Sequence, residues 1–410
     1  MNQNIHKFLL WSQKYTGTDM VYIAKNGFWE VMKVIGITIT SFVTMFAFAR
    51  WVPQDVYGSY RYIISAASIL AVLSMPGINT SLVSAIARGK HGMLRRATRT
   101  RLKWGILTAL GTMAAAGWYL VAGNTTLGLP LLFVAIFLPF AFAFETFEFF
   151  WQGRGRFDIQ SKYRLATTII ASTVLVSTAF LTDNLIALVL AFFASRAILH
   201  AFFYLLSLKS VANEEEDKET ISLGKHLTAM GTVSIVGAQL ESIILWHFLG
   251  PVAVAVFSFA RLPIANMQGL IPIDRLALPK LSERNVAEDK KNIFSKFFKL
   301  FVVAIPLIVI SILSASLIFK LFFPTYLEAV PYFRLLTLTF LWIPFALLDI
   351  SLVAAGRKKS LYISQTSVPI AKIVLLLILT PLYGIWGAVA AIVLETVFRA
   401  GTSFYLFKRL

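Results

Sequence analysis

The chain has 410 residues, a formal net charge of +18, no cysteine, and a mean hydropathy of +0.74 with 58% apolar residues. Only 14% is charged, against about a quarter in an ordinary soluble domain. Too little polar surface exists to cover a water-facing exterior of this size, which excludes a soluble enzyme.

The opening residues, MNQNIHKFLLWSQKYTGTD, lack an apolar core followed by a small-residue cleavage site and read as a retained cytoplasmic lead-in. Apolar stretches long enough to span a bilayer then fall at 27–50, 62–87, 104–122, 126–151, 163–182, 185–207, 227–249, 251–279, 298–321, 329–355, 360–382 and 384–407. Barrel strands would alternate about every second residue, whereas these stretches stay apolar for whole helix lengths. The expected architecture is an all-α polytopic membrane protein of about 12 transmembrane helices. The segments 88–103, 152–162, 208–226, 280–297 and 356–359 carry most of the Lys and Arg, with Arg88, Lys90, Arg95, Arg96, Arg99, Arg101 and Lys103 in the first. The opposite loops carry none, and only Arg50, Arg61 and Lys320 lie near that side. Positive charge stays cytoplasmic, so both termini are expected inside, with the chain in a bacterial cytoplasmic (inner) membrane.

Basic residues in short bursts between spans do not form the continuous face that nucleic acid requires; they read as topology signal and as attraction to anionic lipid headgroups. No nucleic-acid partner is expected, and membrane lipids are. The long middle segment divides the chain into an N-terminal lobe at 1–207, a linker at 208–226 and a C-terminal lobe at 227–410. Six spans per lobe is an even number, so the repeat is expected to be parallel. A weak echo supports it, with Gly58-Ser59-Tyr60 opening the second span and Ala255-Val256-Phe257 near the start of the eighth. The acidic run Glu214–Asp217 reads as a solvated connector. The outer loops are a few residues long, which favours a carrier over a glycan polymerase or ligase.

Ionisable residues within the membrane are costly and are therefore functional candidates. Glu30 and Lys33, three apart, read either as a structural pair or as cavity groups. Glu395 and Arg399, four apart, read as a pair, and Glu145 and Glu148 as a solvated rim near the cytoplasmic end. Arg196, Arg261, Arg334 and Lys372 lie inside their spans with no acidic residue three or four away. Arg275 lies fourteen residues after Arg261, on roughly the same helix face. A guanidinium in a wet cavity suits bidentate contact with phosphate or carboxylate, so Arg261, Arg334, Arg196, Lys372, Arg275 and Lys33 are the candidate substrate-binding residues. Asp349, Asp274, Glu241 and Glu30 are the candidate carboxylates for H+ or Na+ coupling. Met75-Pro76-Gly77 in the second span and Pro263, Pro272 and Pro279 in the eighth predict broken or kinked helices. No phosphate loop is present, the five histidines form no metal cluster, and no cofactor is expected.

Two segments carry a resemblance. One runs from Val52-Pro53-Gln54-Asp55-Val56-Tyr57-Gly58-Ser59-Tyr60 through Met75-Pro76-Gly77-Ile78-Asn79-Thr80-Ser81-Leu82-Val83 to Ala87-Arg88-Gly89-Lys90. The other runs from Leu249-Gly250-Pro251 through Phe257 and Ala260-Arg261-Leu262-Pro263 to Ala277-Leu278-Pro279-Lys280-Leu281-Ser282. Both are similar to the polysaccharide biosynthesis (Wzx-type) flippases of the multidrug/oligosaccharidyl-lipid/polysaccharide exporter superfamily, although Ala255 and Phe257 stand where a glycine and a tyrosine are usual. The resemblance implies a V-shaped pair of six-helix lobes, alternating access, and an undecaprenyl-diphosphate-linked oligosaccharide as cargo, such as an O-antigen repeat unit. Other polysaccharide-assembly proteins are implied as candidate partners. The alternatives are a cation-coupled drug exporter or a lipid II flippase of the same superfamily, and more remotely a membrane glycan ligase or polymerase.

Overall fold

A computed structural model describes residues 20–271, 281, 290–355 and 358–409, and in them the chain is helical with no strand. The first half comprises α1 (Met20–Trp51), α2 (Gln54–Leu70), a 3-10 turn (Ala71–Ser74), α3 (Gly77–Ala87), α4 (Met93–Val121), α5 (Thr125–Ala143), α6 (Thr146–Gly153), α7 (Phe157–Leu181) and α8 (Leu185–Leu208). The second half comprises α9 (Lys218–Leu249), α10 (Pro251–Gly269), α11 (Lys290–Phe322), α12 (Val330–Leu336), α13 (Trp342–Ala354) and α14 (Lys358–Lys408), with 3-10 turns at Pro324–Ala329 and Thr337–Leu341. Their outer faces are apolar. On α1 the exposed residues Phe28, Val31, Met32, Ile35, Ile39 and Val43 recur every three or four positions, the stripe that a helix turns towards hydrocarbon.

Ten described helices are long and apolar enough to cross a membrane. The last of them, at Thr366–Lys408, is one element only by continuity. Gly384 has φ +60°, and a Cβ on Gly387 would lie 1.9 Å from the Leu379 carbonyl. Residues eight apart on a continuous helix lie about 12 Å apart, so the chain doubles back there and α14 supplies two passes. With α10 added, each of the twelve apolar stretches has its helix.

The second span starts earlier than the hydropathy profile places it, at Gln54, behind the Pro53 that precedes the helix. It is broken as expected. Pro76 disfavours a right-handed helical conformation at the residue before it, and Met75 takes the left-handed one at φ +59°. The basic segment 88–103 is not a loop throughout, because α4 begins at Met93 and carries Arg95 to Lys103 on helix. Polar caps fix other helix starts: Asn184 accepts hydrogen bonds from Ile186 N and Ala187 N at α8, and Asp217 accepts one from Glu219 N at α9.

Successive helices alternate direction, so connections gather at two ends. The linker 209–217 lies at one end with 88–92 and 154–156; Val52–Pro53, Ala122–Asn124, Thr182–Asn184, Gly250, Phe323 and Gly384 lie at the other. The cores differ between these ends. At the linker end two smaller clusters lie apart, Ile78, Leu82, Phe147, Phe150 and Phe203 in one and Ile293, Phe297, Leu348 and Phe407 in the other, while α9 of the second half packs closely on α3 of the first, with Ile221 against the first cluster and Gly77 N donating to Thr228 Oγ1 at 2.9 Å. Towards the far end one cluster joins both halves, including Phe48, Tyr57 and Tyr60 with Phe259, Phe323 and Tyr326.

The run Glu214–Asp217 is solvated as expected, with Glu214, Glu215 and Glu216 exposed, but it is not free. Arg96 pairs with Glu216 at 2.7 Å, Arg88 with Asp217 at 3.3 Å, and Arg95 with Glu214. Asn213 accepts from His91 N at 3.0 Å and donates to the Gly89 carbonyl at 2.8 Å. The linker is clasped to the first half because its charges face a dense basic segment.

Candidate functional site

Four charged side chains from four helices meet between the halves. α2 supplies Arg61, α9 Glu241, α10 Arg261 and α14 Lys372, and together with Ser242 and Ser258 they line a chamber of about 190 Å3. At about 1.5 Å of rise per residue, the first three lie roughly 10–15 Å inside the far ends of their helices and Lys372 roughly 18 Å from Gly384, near mid-span. Lys372 pairs with Glu241, and Arg261 Nε lies 4.0 Å from the same carboxylate. Glu241 and Lys372 are buried, and so are Arg61 Nε and Arg261 Nη1, which have no hydrogen-bond partner. Among the described residues, three cations against one carboxylate leave an excess of positive charge with free donors, at a depth where an unpaired donor is expensive. That arrangement is suited to an anion that brings several acceptor oxygens.

A second chamber of about 250 Å3 shares Arg261 and Lys372 and adds Gln268, Trp342, Glu395 and Arg399. A third, about 320 Å3, shares Gln268 and Trp342 and reaches Asp349. Asp349 lies five residues from the end of α13, and its Oδ1 is buried without a partner.

Arg261, Lys372, Glu241 and Asp349 therefore lie along one connected set of chambers. Arg196 does not join them: it stacks on Phe192 at 3.8 Å in the first half. Lys33 pairs with Glu30 at 2.7 Å. Arg334 points away, donating to the Ile312 carbonyl at 3.3 Å and to Ser316 Oγ at 2.9 Å on α11. Arg275 and Asp274, with Pro272 and Pro279, lie outside the described residues. Glu395 and Arg399 form their pair at 3.2 Å. Glu145 and Glu148 are not a solvated rim. Glu148 is buried and accepts from Arg164 at 2.6 Å, while Glu145 accepts from Arg101 at 2.9 Å and Asn79 at 2.8 Å.

Two features escape a reading by sequence. Hydropathy starts the second span at 62 and so leaves Arg61 at the outer rim; the Pro53-Gln54-Asp55 helix start places it two turns inside. Arg101 looks like one more topology charge, yet it is 0% exposed. Its guanidinium donates to the Ser74 carbonyl at 3.1 Å, to Ser74 Oγ at 3.2 Å and to Asn79 Oδ1 at 2.7 Å, pinning the two ends of the broken span together.

The far end is sealed where the two resembling segments meet. Phe259 stacks on Tyr326 at 3.7 Å, and Tyr57 packs on Phe259 at 5.0 Å. A Cβ at Gly58 would lie 1.8 Å from the Pro251 carbonyl, so only glycine permits this approach. Gln54 Nε2 donates to the Thr325 carbonyl at 2.8 Å, and Thr325 Oγ1 to the Ala49 carbonyl at 2.9 Å.

A family model described as polysaccharide biosynthesis protein matches residues 23–273. A comparison with curated protein sequences finds no match. Among solved structures, the lipid II flippase MurJ in an inward closed conformation is 14% identical, with a TM-score of 0.69 over 92% of this chain and 87% of that one. An inward-facing multidrug resistance MATE family transporter of the MOP superfamily is 14% identical, with a TM-score of 0.67 over 91% of this chain and 94% of that one. A MOP superfamily transporter from Pyrococcus furiosus is 14% identical, with a TM-score of 0.61 over 92% of this chain and 94% of that one. These likenesses extend over nearly the whole chain and show the fold.

Proposed function

This chain belongs to the polysaccharide biosynthesis protein family and has the fold of a MOP-superfamily transporter, and from that premise we propose that it is a flippase for a lipid-linked oligosaccharide diphosphate. The observation that carries the reading is the cation-rich chamber of Arg61, Arg261 and Lys372 around the single carboxylate of Glu241, set near mid-span between the halves. A lipid-linked glycan cannot cross hydrocarbon unaided, because its phosphates and hydroxyls would be stripped of hydrogen bonds. The chamber offers the diphosphate replacement donors, and the lipid tail stays in the bilayer between the halves. The reaction breaks no bond, so the chain acts as a carrier.

The basic residues Arg88, Lys90, Arg154, Arg156 and Lys209 lie at the linker end, and the far-end connections carry no Lys or Arg. The linker end is then cytoplasmic, as are both termini, in a bacterial inner membrane. The far-end seal describes a state closed to the outside. Glu241 is committed to Lys372 and Arg261, which leaves Asp349, with its free Oδ1, as the described carboxylate best placed for H+ or Na+ coupling. Its neutralisation by Asp349→Asn removes the dependence of transport on an ion gradient if it is the coupling group; an unchanged dependence assigns coupling elsewhere. An undecaprenyl-diphosphate repeat unit of a surface polysaccharide such as O-antigen is the cargo that family membership favours. The chamber chemistry also accommodates lipid II, the cargo of the structurally similar lipid II flippase MurJ. An excess of cations disfavours a cationic drug.

Depletion of the protein, followed by leaflet-resolved analysis of undecaprenyl-linked glycans, tests the reading. Accumulation of complete lipid-linked units on the cytoplasmic leaflet is the expected result, and their mass identifies the cargo. A normal distribution, or accumulation on the outer leaflet, places the function elsewhere.

A further inference from the structure

The second chamber differs chemically from the anion chamber beside it. Its own charges cancel, because Arg399 and Glu395 pair at 3.2 Å. What distinguishes it is an aromatic surface surrounded by hydrogen-bonding groups. Trp342 opens α13 and lines both this chamber and the larger one next to it. The Arg399 guanidinium lies over one face of the indole, 5.0 Å from its centroid, so the sugar packs on the aromatic surface that Arg399 leaves uncovered, and the Arg399 side chain remains 39% exposed. Gln268 Nε2 donates to Thr339 Oγ1 at 3.1 Å. An amide, a guanidinium, a carboxylate and a hydroxyl each offer further donors or acceptors beyond these contacts.

From this arrangement we infer that the Trp342 chamber is a sugar subsite, which holds the first glycan residue of the cargo while Arg261 and Lys372 hold the diphosphate. The inference rests on the flippase reading of the neighbouring chamber. Three physical arguments carry it. A sugar ring has an apolar C–H face that packs on an aromatic face, which is electron-rich, and a rim of hydroxyls that need donors and acceptors together. The cations it shares, Arg261 and Lys372, are taken up by the diphosphate, and the charges it adds, Arg399 and Glu395, balance each other, so a neutral polar group fits the remaining space; that polar lining makes it unsuited to the lipid tail. Arg261 and Lys372 line both chambers, so a group esterified to a diphosphate anchored by them projects into the space beside Trp342. That space, about 250 Å3, equals roughly eight waters at ~30 Å3 each, room for one sugar ring. Further residues of the glycan continue into the 320 Å3 chamber that Trp342 and Gln268 also line.

The subsite makes Trp342 and Gln268 determinants of sugar preference, distinct from the phosphate anchors. The test is binding of short prenyl diphosphates to the purified full-length protein in nanodiscs. The probes are farnesyl diphosphate without sugar and farnesyl diphosphate carrying glucose, galactose or N-acetylglucosamine. We expect at least one glycosylated probe to bind tenfold or more tighter than the sugar-free one. Trp342→Ala and Gln268→Ala abolish that advantage, Trp342→Phe keeps most of it, and all three still bind the sugar-free probe, which also shows that they fold. Arg261→Ala weakens every probe. If no sugar improves binding, or if the improvement survives Trp342→Ala, the subsite is overturned while the diphosphate reading stands. If wild-type protein does not bind the sugar-free probe, or Arg261→Ala binds it equally well, the diphosphate reading fails and the subsite falls with it.

Discussion

Lys372 and Glu241 form an ion pair at a depth where removing two charges from water is expensive. Such a pair contributes little net stability, and its location between moving halves suggests a different role: it holds an anion site in readiness. Glu241 competes with an incoming phosphate for Lys372 and Arg261. Glu241→Gln is therefore expected to tighten diphosphate binding by about tenfold, as for loss of one short-range charge repulsion, and to slow release. Equilibrium binding and transport measured on the same preparation check this; weaker binding contradicts it. Arg101 is the opposite case, a charge whose role is structural. Truncating one member of a buried ionic network costs about 3–5 kcal/mol, so Arg101→Ala is expected to lower thermal stability in detergent strongly, and Arg101→Lys less so, because lysine keeps the charge but loses the planar fork. Equal stability of Arg101→Ala and wild type would show that Glu145 and Asn79 find other partners. At this scale the sequence was informative about Arg261 and Lys372, because no acid stands three or four residues away and a partner must come from another helix. The same spacing described Arg334 equally well, yet a backbone carbonyl and Ser316 satisfy it. Local spacing registers the absence of an intrahelical partner and is blind to what neighbouring helices provide.

Elements bring together what lies far apart in the chain. The linker clasp pairs residues 119 positions apart, and for that reason an acidic run read alone looks like a free connector. The clasp requires Gly92, where a Cβ would fall 2.5 Å from the Glu214 backbone. Gly92→Val is expected to lift the linker and raise hydrogen exchange across 211–217, and unchanged protection there would show that the contact is dispensable. The clasp has a defined response to acid. The backbone amide of Glu219, then the Thr220 hydroxyl, Lys90 and Arg88, hold Asp217 below its ordinary carboxylate value. Its contribution is present above the unfolded carboxylate pKa and is lost only as pH falls through that lowered value, well below neutrality. Burial, followed by the nearby Arg154, pushes His91 below its ordinary value. His91 therefore favours the docked state above the unfolded histidine pKa, about 6.5, and withdraws that support as pH falls below it. Protection of 211–217 is expected to decline modestly on acidification from pH 7 to 5.5, and His91→Gln removes this dependence. The broken second span, by contrast, was legible, because Pro76 acts through local backbone sterics.

For the whole molecule, the decisive feature is the distribution of cores: one shared cluster at the far end and separate clusters at the linker end. Two bodies that share one core at the far end and, at the linker end, meet along α9 and α3 can rock about that seam, whereas a single continuous core would resist it. The cysteine-free chain is a ready background for testing this. A single Ser258→Cys, inside the anion chamber, is expected to react with a membrane-impermeant thiol reagent from the cytoplasmic side only. Adding Gly58→Val, whose side chain cannot coexist with the Pro251 carbonyl, opens the chamber to reagent from outside; no change in sidedness would mean that the aromatic seal is not the gate. The twelve apolar stretches made the bundle legible from hydropathy alone. The joint was not, because it depends on interdigitation of Tyr57, Phe259 and Tyr326, which no periodicity encodes.

In the proposed cycle a lipid-linked glycan diphosphate crosses the membrane through the chamber of Arg61, Arg261 and Lys372. The most direct test of this path is transbilayer movement of a fluorescent polyprenyl-diphosphate oligosaccharide in proteoliposomes, followed by the fraction accessible to an enzyme added outside. Protein-dependent movement is expected, and Arg261→Ala and Lys372→Ala each reduce it at least tenfold with reconstitution unchanged. Movement at wild-type rates in both variants, or none with the wild-type protein, would contradict this path.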